Sequence, residues 1–415
     1  MSADGDILGA VRAQFHSPPA RLGVAVSGGG DSVALLHILS RCFEPGAVEL
    51  HAATVDHGLR REAADEARAV AALAETLGVP HSVLTWRDWD GAGNLQDQAR
   101  RARYRLLGDW ARARGIELVA LGHTADDQAE TVLMRLARSS GVTGLSAIPA
   151  RRTLHGVTFL RPMLGLERAA LRAYLRRQGI AWAEDPSNDD DRFDRVRARK
   201  ALQVLEPLGL TATGLAAVAG NMAQAREALD WYSFLAAREL ARIDAGAVVL
   251  DLRGFRVLPE EIARRLLVRA VMWISGADYP PRRSATATVL DAIRRGRSAT
   301  LGGCRVLNAQ GAIWICREYN AVRALSLPAG ATWDGRWQLY GDSAADIELR
   351  ALGRRGLRHC RDWRDSGRPL AALAATPAVW TGDDLVAAPL AGLCNGWRAE
   401  LIGGDEAFFT TLLSH

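Results

Sequence analysis

The sequence has few cysteines, and they do not form a pattern that binds a metal or a cluster. The 415-residue chain has five, at positions 42, 304, 316, 360 and 394, and no two are spaced as Cys-x-x-Cys. An odd, scattered set argues against a disulfide framework, a zinc finger and an iron–sulfur site built by local spacing. We therefore expect reduced thiols with structural roles.

Long hydrophobic runs are also missing. The longest, such as residues 118–123, are far shorter than the roughly 20 apolar residues that a membrane-spanning helix needs. The first residues carry two acids and no long apolar core, unlike a secretory signal. We therefore expect a cytoplasmic protein with no membrane partner.

Lysine is almost absent, because Lys200 is the only one among 52 basic residues. The formal net charge is +5, and arginine guanidinium groups bind phosphate through two parallel hydrogen bonds. A GC-rich genome would produce the same arginine bias. The charge therefore gives only weak support for a nucleic-acid partner.

The first 200 residues alternate the patterns of strands and helices. Apolar runs predict strands at 22–26, 49–55, 81–86 and 117–121. Helices are predicted near 32–40, 62–77, 97–114 and 125–138. This alternation indicates an α/β fold with a doubly wound, mainly parallel sheet and helices on both faces. Ligands of such sheets bind at the carboxyl ends of the strands, where the strand order reverses.

We expect three domains. The α/β domain covers residues 1–210 and ends near the break at 207–211. A mainly helical domain follows at 211–325, with a long helix near 214–243, and a smaller α+β domain covers 326–415. The last two are rich in arginine clusters, at 282–297 and 350–368, which favour contacts with phosphates.

A glycine-rich loop joins the first strand to the next helix. Its residues are Ser27, Gly28, Gly29, Gly30, Asp31 and Ser32. Glycines bring backbone N–H groups close to an anion, and the helix N-terminus adds a partial positive charge. Asp31 beside phosphates indicates a Mg²⁺ ion between them. The alternative is a plain glycine-rich turn that Asp31 or Ser32 caps.

Polar residues also follow the fourth strand, beginning with Gly122 and His123. Thr124 is expected to cap a helix, with Asp127 as its partner. Asp126 and Glu130 share another helix face, while the buried face is expected to contain Ala129, Val132, Leu133 and Leu136. The acids suit Mg²⁺ or a substrate ammonium, and the alternative is simple capping with solvated carboxylates.

Further candidates lie in three other segments. Asp56 ends the second strand, within reach of a nucleotide, and His57 either contacts phosphate or is satisfied within its loop. Arg103 lies in a basic helix whose face could instead be solvated. The remaining candidates are Asp185 and Asn188, in a Pro-bounded acidic loop, and Arg195 and Arg199, four residues apart on one helix face.

Together these segments resemble those of a known family. The loop at 27–32 is similar to the PP-loop of ATP pyrophosphatases, which cleave ATP between the α and β phosphates. Six further segments follow this loop along the chain, namely Val55–Arg60, Ala102–Arg105, Gly122–Thr131, Gly141–Leu145, Arg161–Leu164 and Glu184–Asn188. With these segments in this order, the sequence over about residues 1–205 resembles those of the tRNA(Ile)-lysidine synthetases.

The resemblance implies an activity and its partners. The enzyme joins free L-lysine to C2 of the wobble cytidine of an isoleucine tRNA with a CAU anticodon, through an adenylylated tRNA, and uses ATP and Mg²⁺. A homodimer is a further expectation.

The resemblance also assigns roles to the candidate residues. The catalytic residues would be Asp31, Asp126, Asp127, Glu130 and Arg195. ATP would bind the loop at 27–32 with Asp56, His57, Gly122 and His123, and Mg²⁺ would bind Asp31 and Asp127. The substrates would bind Arg103, Asp126, Asp127, Glu130, Asp185, Asn188 and Arg199.

The sequence departs from the family pattern at two positions, and three other functions remain as alternatives. The family usually has Gly where this chain has Ser139, and Asn where it has Val196. A related cytidine thiolase would need cysteine pairs, but Cys42 is the only cysteine in the first 300 residues. Amidotransferase-linked synthetases lack the segments quoted above, and an RNA-binding protein without catalysis would not need the intact acids.

Overall fold

The computed structural model describes residues 3–58, 63–87, 89, 91, 94–184, 192, 194–342 and 346–413. The chain divides into two compact units, residues 1–226 and 227–414. The three-domain division stays a prediction.

The first unit is built around a mainly parallel sheet, as the sequence predicted. Its strands are β1 (Arg21–Ala25), β2 (Glu49–Asp56), β3 (His81–Thr85), β4 (Leu118–Leu121), β5 (Arg151–Leu154) and β6 (Val157–Leu160). In the described residues their order is β3-β2-β1-β4-β6-β5. All neighbours are parallel except β5, which forms an antiparallel hairpin with β6.

Helices cover both faces of this sheet. They are α1 (Ala3–Arg12), α2 (Gly30–Cys42), α3 (Ala63–Thr76), α4 (Leu95–Ala113), α5 (Ala125–Leu136), α6 (Val142–Leu145), α7 (Arg168–Arg177) and α8 (Asp194–Leu205). Leu22 and Val24 face a core shared with α1, α2, α3 and α7, whereas Ala25 faces the core of α4. Adjacent strand residues point to opposite faces, so the sheet is doubly wound.

The direction of strand order reverses between β1 and β4. The chain moves from β1 to β2 and β3 on one side, and then returns to β4 on the other side of β1. The glycine-rich loop follows β1, and Gly122 and His123 follow β4. Both segments therefore lie at the carboxyl ends of neighbouring strands, where ligands of such sheets bind.

Two sequence-based expectations need correction. The hairpin β5–β6 was not predicted, because its two strands have four residues each and lie between the segments Gly141–Leu145 and Arg161–Leu164, where no strand was assigned. Leu136 was expected to be buried, but it is 50% exposed. It is the last residue of α5, and the apolar cluster that covers Ala129 and Val132 extends to Leu133 and no further.

The second unit contains three antiparallel sheets in its described residues. A long helix, α9 (Ala212–Leu240), leads into it. The first sheet contains β7 (Ala241–Asp244), β8 (Ala247–Asp251), β9 (Ala299–Leu301), β10 (Cys304–Ala309) and β11 (Ala312–Arg317), in the order β7-β8-β11-β10-β9. The accompanying helices are α10 (Leu252–Val257), α11 (Glu260–Ser275), α12 (Arg283–Arg294) and α13 (Tyr319–Val322).

The remaining strands form two smaller sheets. They are β12 (Ser326–Pro328), β13 (Trp337–Tyr340), β14 (Ile347–Ala351), β15 (Pro377–Thr381), β16 (Asp384–Ala387) and β17 (Arg398–Leu401). The sheet orders are β12-β14-β15-β16 and β13-β17. The last helices are α14 (Gly353–Leu357), α15 (Leu370–Ala374) and α16 (Glu406–Leu413).

Within the described residues, no single helix is long and apolar enough to cross a membrane. Asp194–Leu208 and Ala212–Leu240, bent by 100° at their junction, together reach the length and composition of a span.

Candidate active site

The glycine-rich loop is held in shape by its two serines. The Ser32 hydroxyl accepts a hydrogen bond from the backbone N–H of Ser27 at 3.1 Å and donates to the carbonyl of Gly29 at 2.9 Å. The Ser27 and Ser32 hydroxyl oxygens are 3.2 Å apart. Gly28 has φ 91°, a left-handed conformation that favours glycine. The loop therefore exists as a formed cradle at the N-terminus of α2.

Gly122 allows β4 to end directly against this loop. A Cβ atom at Gly122 would lie 2.9 Å from the Cα of Ser32 and 3.0 Å from the carbonyl oxygen of Asp31. Such distances are too short for a side chain. Glycine at this position thus permits close backbone approach.

The N-terminus of α5 has the predicted cap. Thr124 is fully buried, and its hydroxyl accepts from the N–H of Asp127 at 3.4 Å. The Asp127 carboxylate accepts from the N–H of Thr124 at 2.9 Å, which completes a capping box. One oxygen of Asp127 is thereby fixed, and the other accepts a hydrogen bond from Arg168 at 3.3 Å.

One arginine joins the predicted acids, and sequence reasoning missed it. The Arg168 guanidinium donates to Asp31 at 3.0 Å and Asp127 at 3.3 Å, and it lies 3.5 Å from Glu130. The backbone N–H of Arg168 donates to Asp126 at 2.8 Å. All four acids therefore converge on the first residue of α7. A signal was present, since an arginine in the first turn of a helix opposes the helix dipole and indicates a nearby acid.

Burial and charge shift the pKa values of this cluster. Burial raises the pKa of Asp31 above its ordinary value, although Arg168 opposes the shift. Burial alone would lower the pKa of Arg168, but the carboxylates of Asp127, Asp31 and Glu130 raise it. Arg168 is therefore permanently charged, and it favours the ionised form of Asp31.

One cavity of about 1170 Å³ is lined by Asp31, Asp127, Glu130 and Arg168 and by the glycine-rich loop apart from Gly28, whereas Asp126 is not among its lining residues. Its wall is also rich in arginines. They are Arg100, Arg103, Arg138, Arg168, Arg172, Arg192, Arg195 and Arg199. Such a wall, together with backbone N–H groups of a glycine-rich loop, is suited to a polyanionic ligand.

His123 and Arg103 lie in the basic part of this cavity. The pKa of His123 is lowered to about 3, chiefly by burial. The charge of Asp127 opposes this shift, whereas the positive charges of Arg161, Arg103 and Arg195 add to it. Burial also lowers the pKa of Arg103. The imidazole of His123 is therefore neutral at pH 7, and its buried Nδ1 atom has no hydrogen-bond partner among the described residues.

Asp56 and His57 have different positions. The Asp56 carboxylate accepts from the N–H of Gly58 at 2.8 Å, which is a turn contact, and it is not among the residues that line the cavity. His57 does line it and packs edge-on against Trp86. Its buried Nδ1 atom has no partner within the described ranges.

Arg195 and Arg199 of α8 both line the cavity. Arg199 donates to Glu130 at 3.0 Å, so α8 is fixed to the acids of α5. Asp185 and Asn188 lie outside the described residues. The segment before them is docked on the glycine-rich loop, because the N–H of Ala183 donates to the carbonyl of Gly28 at 3.0 Å and Trp182 packs on Gly30.

The arginine clusters of the second unit are partly used in internal contacts. Arg355 pairs with Asp383 at 3.1 Å, and Arg368 pairs with Asp244 at 2.6 Å. Arg354 and Arg358 are exposed.

Comparisons with known proteins identify relatives of this chain. Residues 8–205 match the model of the PP-loop domain family. A Ruegeria pomeroyi protein named tRNA(Ile)-lysidine synthase is 62% identical over 411 residues, which cover 99% of this chain and 98% of that protein. The chain belongs to the tRNA(Ile)-lysidine synthase family.

Two further members have lower identity. The synthase of Wolbachia pipientis is 36% identical over 80% of this chain and 80% of its own length. That of Methylobacterium nodulans is 43% identical over 71% of this chain and 89% of its own length.

One departure from the lysidine synthase pattern has a structural consequence. Ser139 replaces the usual glycine, and its φ is 52°. It follows the end of α5, where its N–H donates to the carbonyl of Leu136 at 2.9 Å. A left-handed residue just past a helix end favours glycine, so the serine occupies a strained position.

Proposed function

We propose that this protein joins free L-lysine to C2 of the wobble cytidine of an isoleucine tRNA with a CAU anticodon. The reaction consumes ATP and releases AMP and pyrophosphate. The observation that carries the proposal is the meeting, in one cavity, of a PP-loop with the acids Asp31, Asp127 and Glu130.

The first half-reaction requires activation of the cytidine. Its C2 oxygen attacks the α-phosphate of ATP, and pyrophosphate leaves. The backbone N–H groups of the loop and the N-terminus of α2 bind and orient the phosphates. Arg103 and Arg195, in the cavity wall, would balance the negative charge that develops during this step.

A magnesium ion fits the residues present. Asp31 has one buried oxygen with no hydrogen-bond partner among the described residues, and Asp127 contributes a second carboxylate. Mg²⁺ is usually bound through one or two carboxylates plus substrate phosphates. When bound, the ion offsets charge on the leaving pyrophosphate.

The second half-reaction requires a lysine ammonium in the acidic part of the cavity. Glu130 is only 1% exposed in its side chain, and its Oε2 atom has no partner among the described residues. Glu130 and Asp127, which line the cavity, are therefore candidates for binding the substrate amines, and Asp126 beside them stays a candidate from the sequence. The ε-amine attacks C2 of the activated cytidine, AMP leaves, and an acid of this group takes the proton.

The tRNA itself supplies the reacting base. An anticodon loop is single-stranded, so its wobble base can leave the stack and enter the cavity. Exposed arginines of the second unit would contact the tRNA phosphates. Arg199, Asp185 and Asn188 remain candidates for the anticodon side of the site.

The rival thiolase is disfavoured by the one cysteine of the first unit. Burial raises the pKa of Cys42 to about 11, so this thiol is not a ready nucleophile. It packs among the core residues of α1 and α2, and it does not line the cavity.

The direct test combines the protein with ATP, Mg²⁺, lysine and the CAU-anticodon tRNA. The RNA is then digested, and its nucleosides are analysed by mass spectrometry. We expect lysidine that requires both ATP and lysine. A thiolated cytidine in the presence of a sulfur donor would support the rival, and pyrophosphate release without a new nucleoside would remove lysine from the proposal.

The Asp31→Ala variant tests the ATP half separately. It should release pyrophosphate at least about 100-fold more slowly, because it lacks the carboxylate nearest the phosphates. The control is Asp109→Ala, which removes an exposed acid of α4. Wild-type turnover by Asp31→Ala would contradict the assignment.

A further inference from the structure

Arg168 occupies a central position in the cavity that the proposed chemistry does not explain. Its side chain is 16% exposed and contacts acids from two distant parts of the chain, Asp31 of the PP-loop and Asp127 and Glu130 of α5. Its backbone also holds Asp126. Four carboxylates and the guanidinium groups of Arg168 and Arg199 therefore lie together, which leaves a formal charge of −2.

In both Asp31 and Glu130, an arginine contacts one of the two carboxylate oxygens and not the other. Arg168 binds Oδ2 of Asp31, while Oδ1 of Asp31 is buried without a partner in the part of the chain that the structure describes. Arg199 and Arg168 contact Oε1 of Glu130, while Oε2 of Glu130 is buried and likewise has no partner among those residues. Buried polar atoms without partners are rare and costly, and here each free oxygen is the natural ligand of a cation.

A guanidinium is the group best able to make this arrangement. Its donors lie in a rigid plane and can contact several carboxylates at once. Without it, the acids would repel one another, and their free oxygens would lose a fixed direction. The backbone contact to Asp126 alone would not orient Asp31, because the two lie on different segments.

We propose that Arg168 is a positioning residue that couples the two halves of the site. It holds the PP-loop acid and the α5 acids in one geometry, so that the oxygens for the metal and for the lysine ammonium are directed into the same cavity. Arg168 itself contacts neither the metal nor the reacting atoms. The inference rests on the proposed function, because it assigns the two free oxygens to that reaction.

The test compares Arg168→Met, Arg168→Lys and the control Arg177→Met. Arg177 lies on the same helix, pairs with Asp4 at 2.6 Å, and is not among the residues that line the cavity. Binding of Mn²⁺ in the presence of a non-hydrolysable ATP analogue is measured by electron paramagnetic resonance. Steady-state kinetics then give kcat and the KM for lysine.

We expect Arg168→Met to weaken Mn²⁺ binding at least tenfold and to lower kcat about 100-fold, the size of effect that misplaced reacting groups produce. The KM for lysine should rise at the same time. Arg168→Lys keeps the charge but cannot reach three carboxylates, so it should recover only part of each loss. Arg177→Met should match the wild type in all three measurements.

Two results would overturn the proposal. The first is a folded Arg168→Met variant whose Mn²⁺ affinity and kcat are within about twofold of those of Arg177→Met. The other is full recovery by Arg168→Lys, which would reduce the role to charge alone. If Arg168→Met does not fold, the Arg168→Lys variant provides the test. A Mn²⁺ affinity, kcat and KM for lysine equal to those of the wild type would then contradict the proposal. A wild-type protein that makes no lysidine would instead refute the proposed function, while the Mn²⁺ measurement still tests Arg168.

Discussion

Gly122 lies so close to the PP-loop that a methyl group has no space beside it. The added atom would meet backbone of Ser32 and Asp31 at 2.9–3.0 Å, and backbone cannot move aside as a side chain can. We expect Gly122→Ala to destabilise the protein by about 1–3 kcal/mol and to weaken binding of an ATP analogue at least tenfold.

Calorimetry with the analogue and thermal unfolding would measure both effects. Gly165→Ala is the control, because nothing lies within 4 Å of its added atom. Equal behaviour of the two variants would show that the loop adapts to the extra methyl group.

His123 makes the stability depend on pH. Its pKa in the folded protein is lowered to about 3, chiefly by burial, while an unfolded histidine titrates near pH 6.5. Between these values the unfolded chain binds a proton that the folded chain does not. This contribution to stability is therefore complete above about pH 6.5 and is lost as the pH falls towards 3, by up to about 1 kcal/mol per pH unit.

The His123→Asn variant should remove this dependence. Its unfolding free energy relative to the wild type should rise by on the order of 1 kcal/mol when the pH is lowered from 7 to 5.5. Urea unfolding at the two pH values measures the difference, and His16→Asn, an exposed position, is the control. The same pH dependence in both variants would mean that His123 is hydrated in the folded state.

At the end of α5, one residue has a backbone conformation that is unfavourable for its side chain. Ser139 has φ 52°, and a non-glycine residue in this region costs roughly 1–2 kcal/mol. Ser139→Gly should therefore stabilise the protein by somewhat less than this, because glycine also loses more backbone entropy on folding.

Ser139→Ala is the matched control, since alanine has the same conformational penalty as serine. We expect thermal unfolding to give a higher Tm for the glycine variant only. A higher Tm for both variants would trace the effect to the hydroxyl group rather than to the backbone.

The elements of the first unit were largely predictable because their patterns are local. The predicted strands at 22–26 and 49–55 correspond to β1 and β2, and the cap of α5 at Thr124 is confirmed. The hairpin β5–β6 was missed, since its two strands have only four residues each and alternate residues of β5 are exposed, which gives a weak signal. Leu136 was misassigned because a helical pattern does not show where the packing partner ends.

The exposed arginines of the second unit should make the affinity for tRNA depend on salt concentration. Arg354 and Arg358 are exposed and Arg355 is held only by an exposed pair with Asp383. Replacing the three arginines with Glu should weaken tRNA binding and lower the slope of log K against log salt by about 2. Affinity for an ATP analogue should not change.

Filter binding over a salt series measures the slope. The control reverses the same number of charges on exposed arginines of the first unit, namely Arg12, Arg41 and Arg68. An equal loss in the control would show a general charge effect, and no loss in either variant would place the tRNA contacts elsewhere.

Features formed by residues close together along the chain were predictable from the sequence alone. A strand, a glycine-rich loop and a helix follow one another, so the formed loop was predictable from spacing, as was the cap that Thr124 and Asp127 form. The contact of Arg168 with both Asp31 and Asp127 became visible only in the folded protein. Asp31 and Arg168 are 137 residues apart, and their contact exists because β1 and β4 are neighbours in the sheet and α7 begins beside both. A pairing of this kind depends on strand order, which local patterns do not contain.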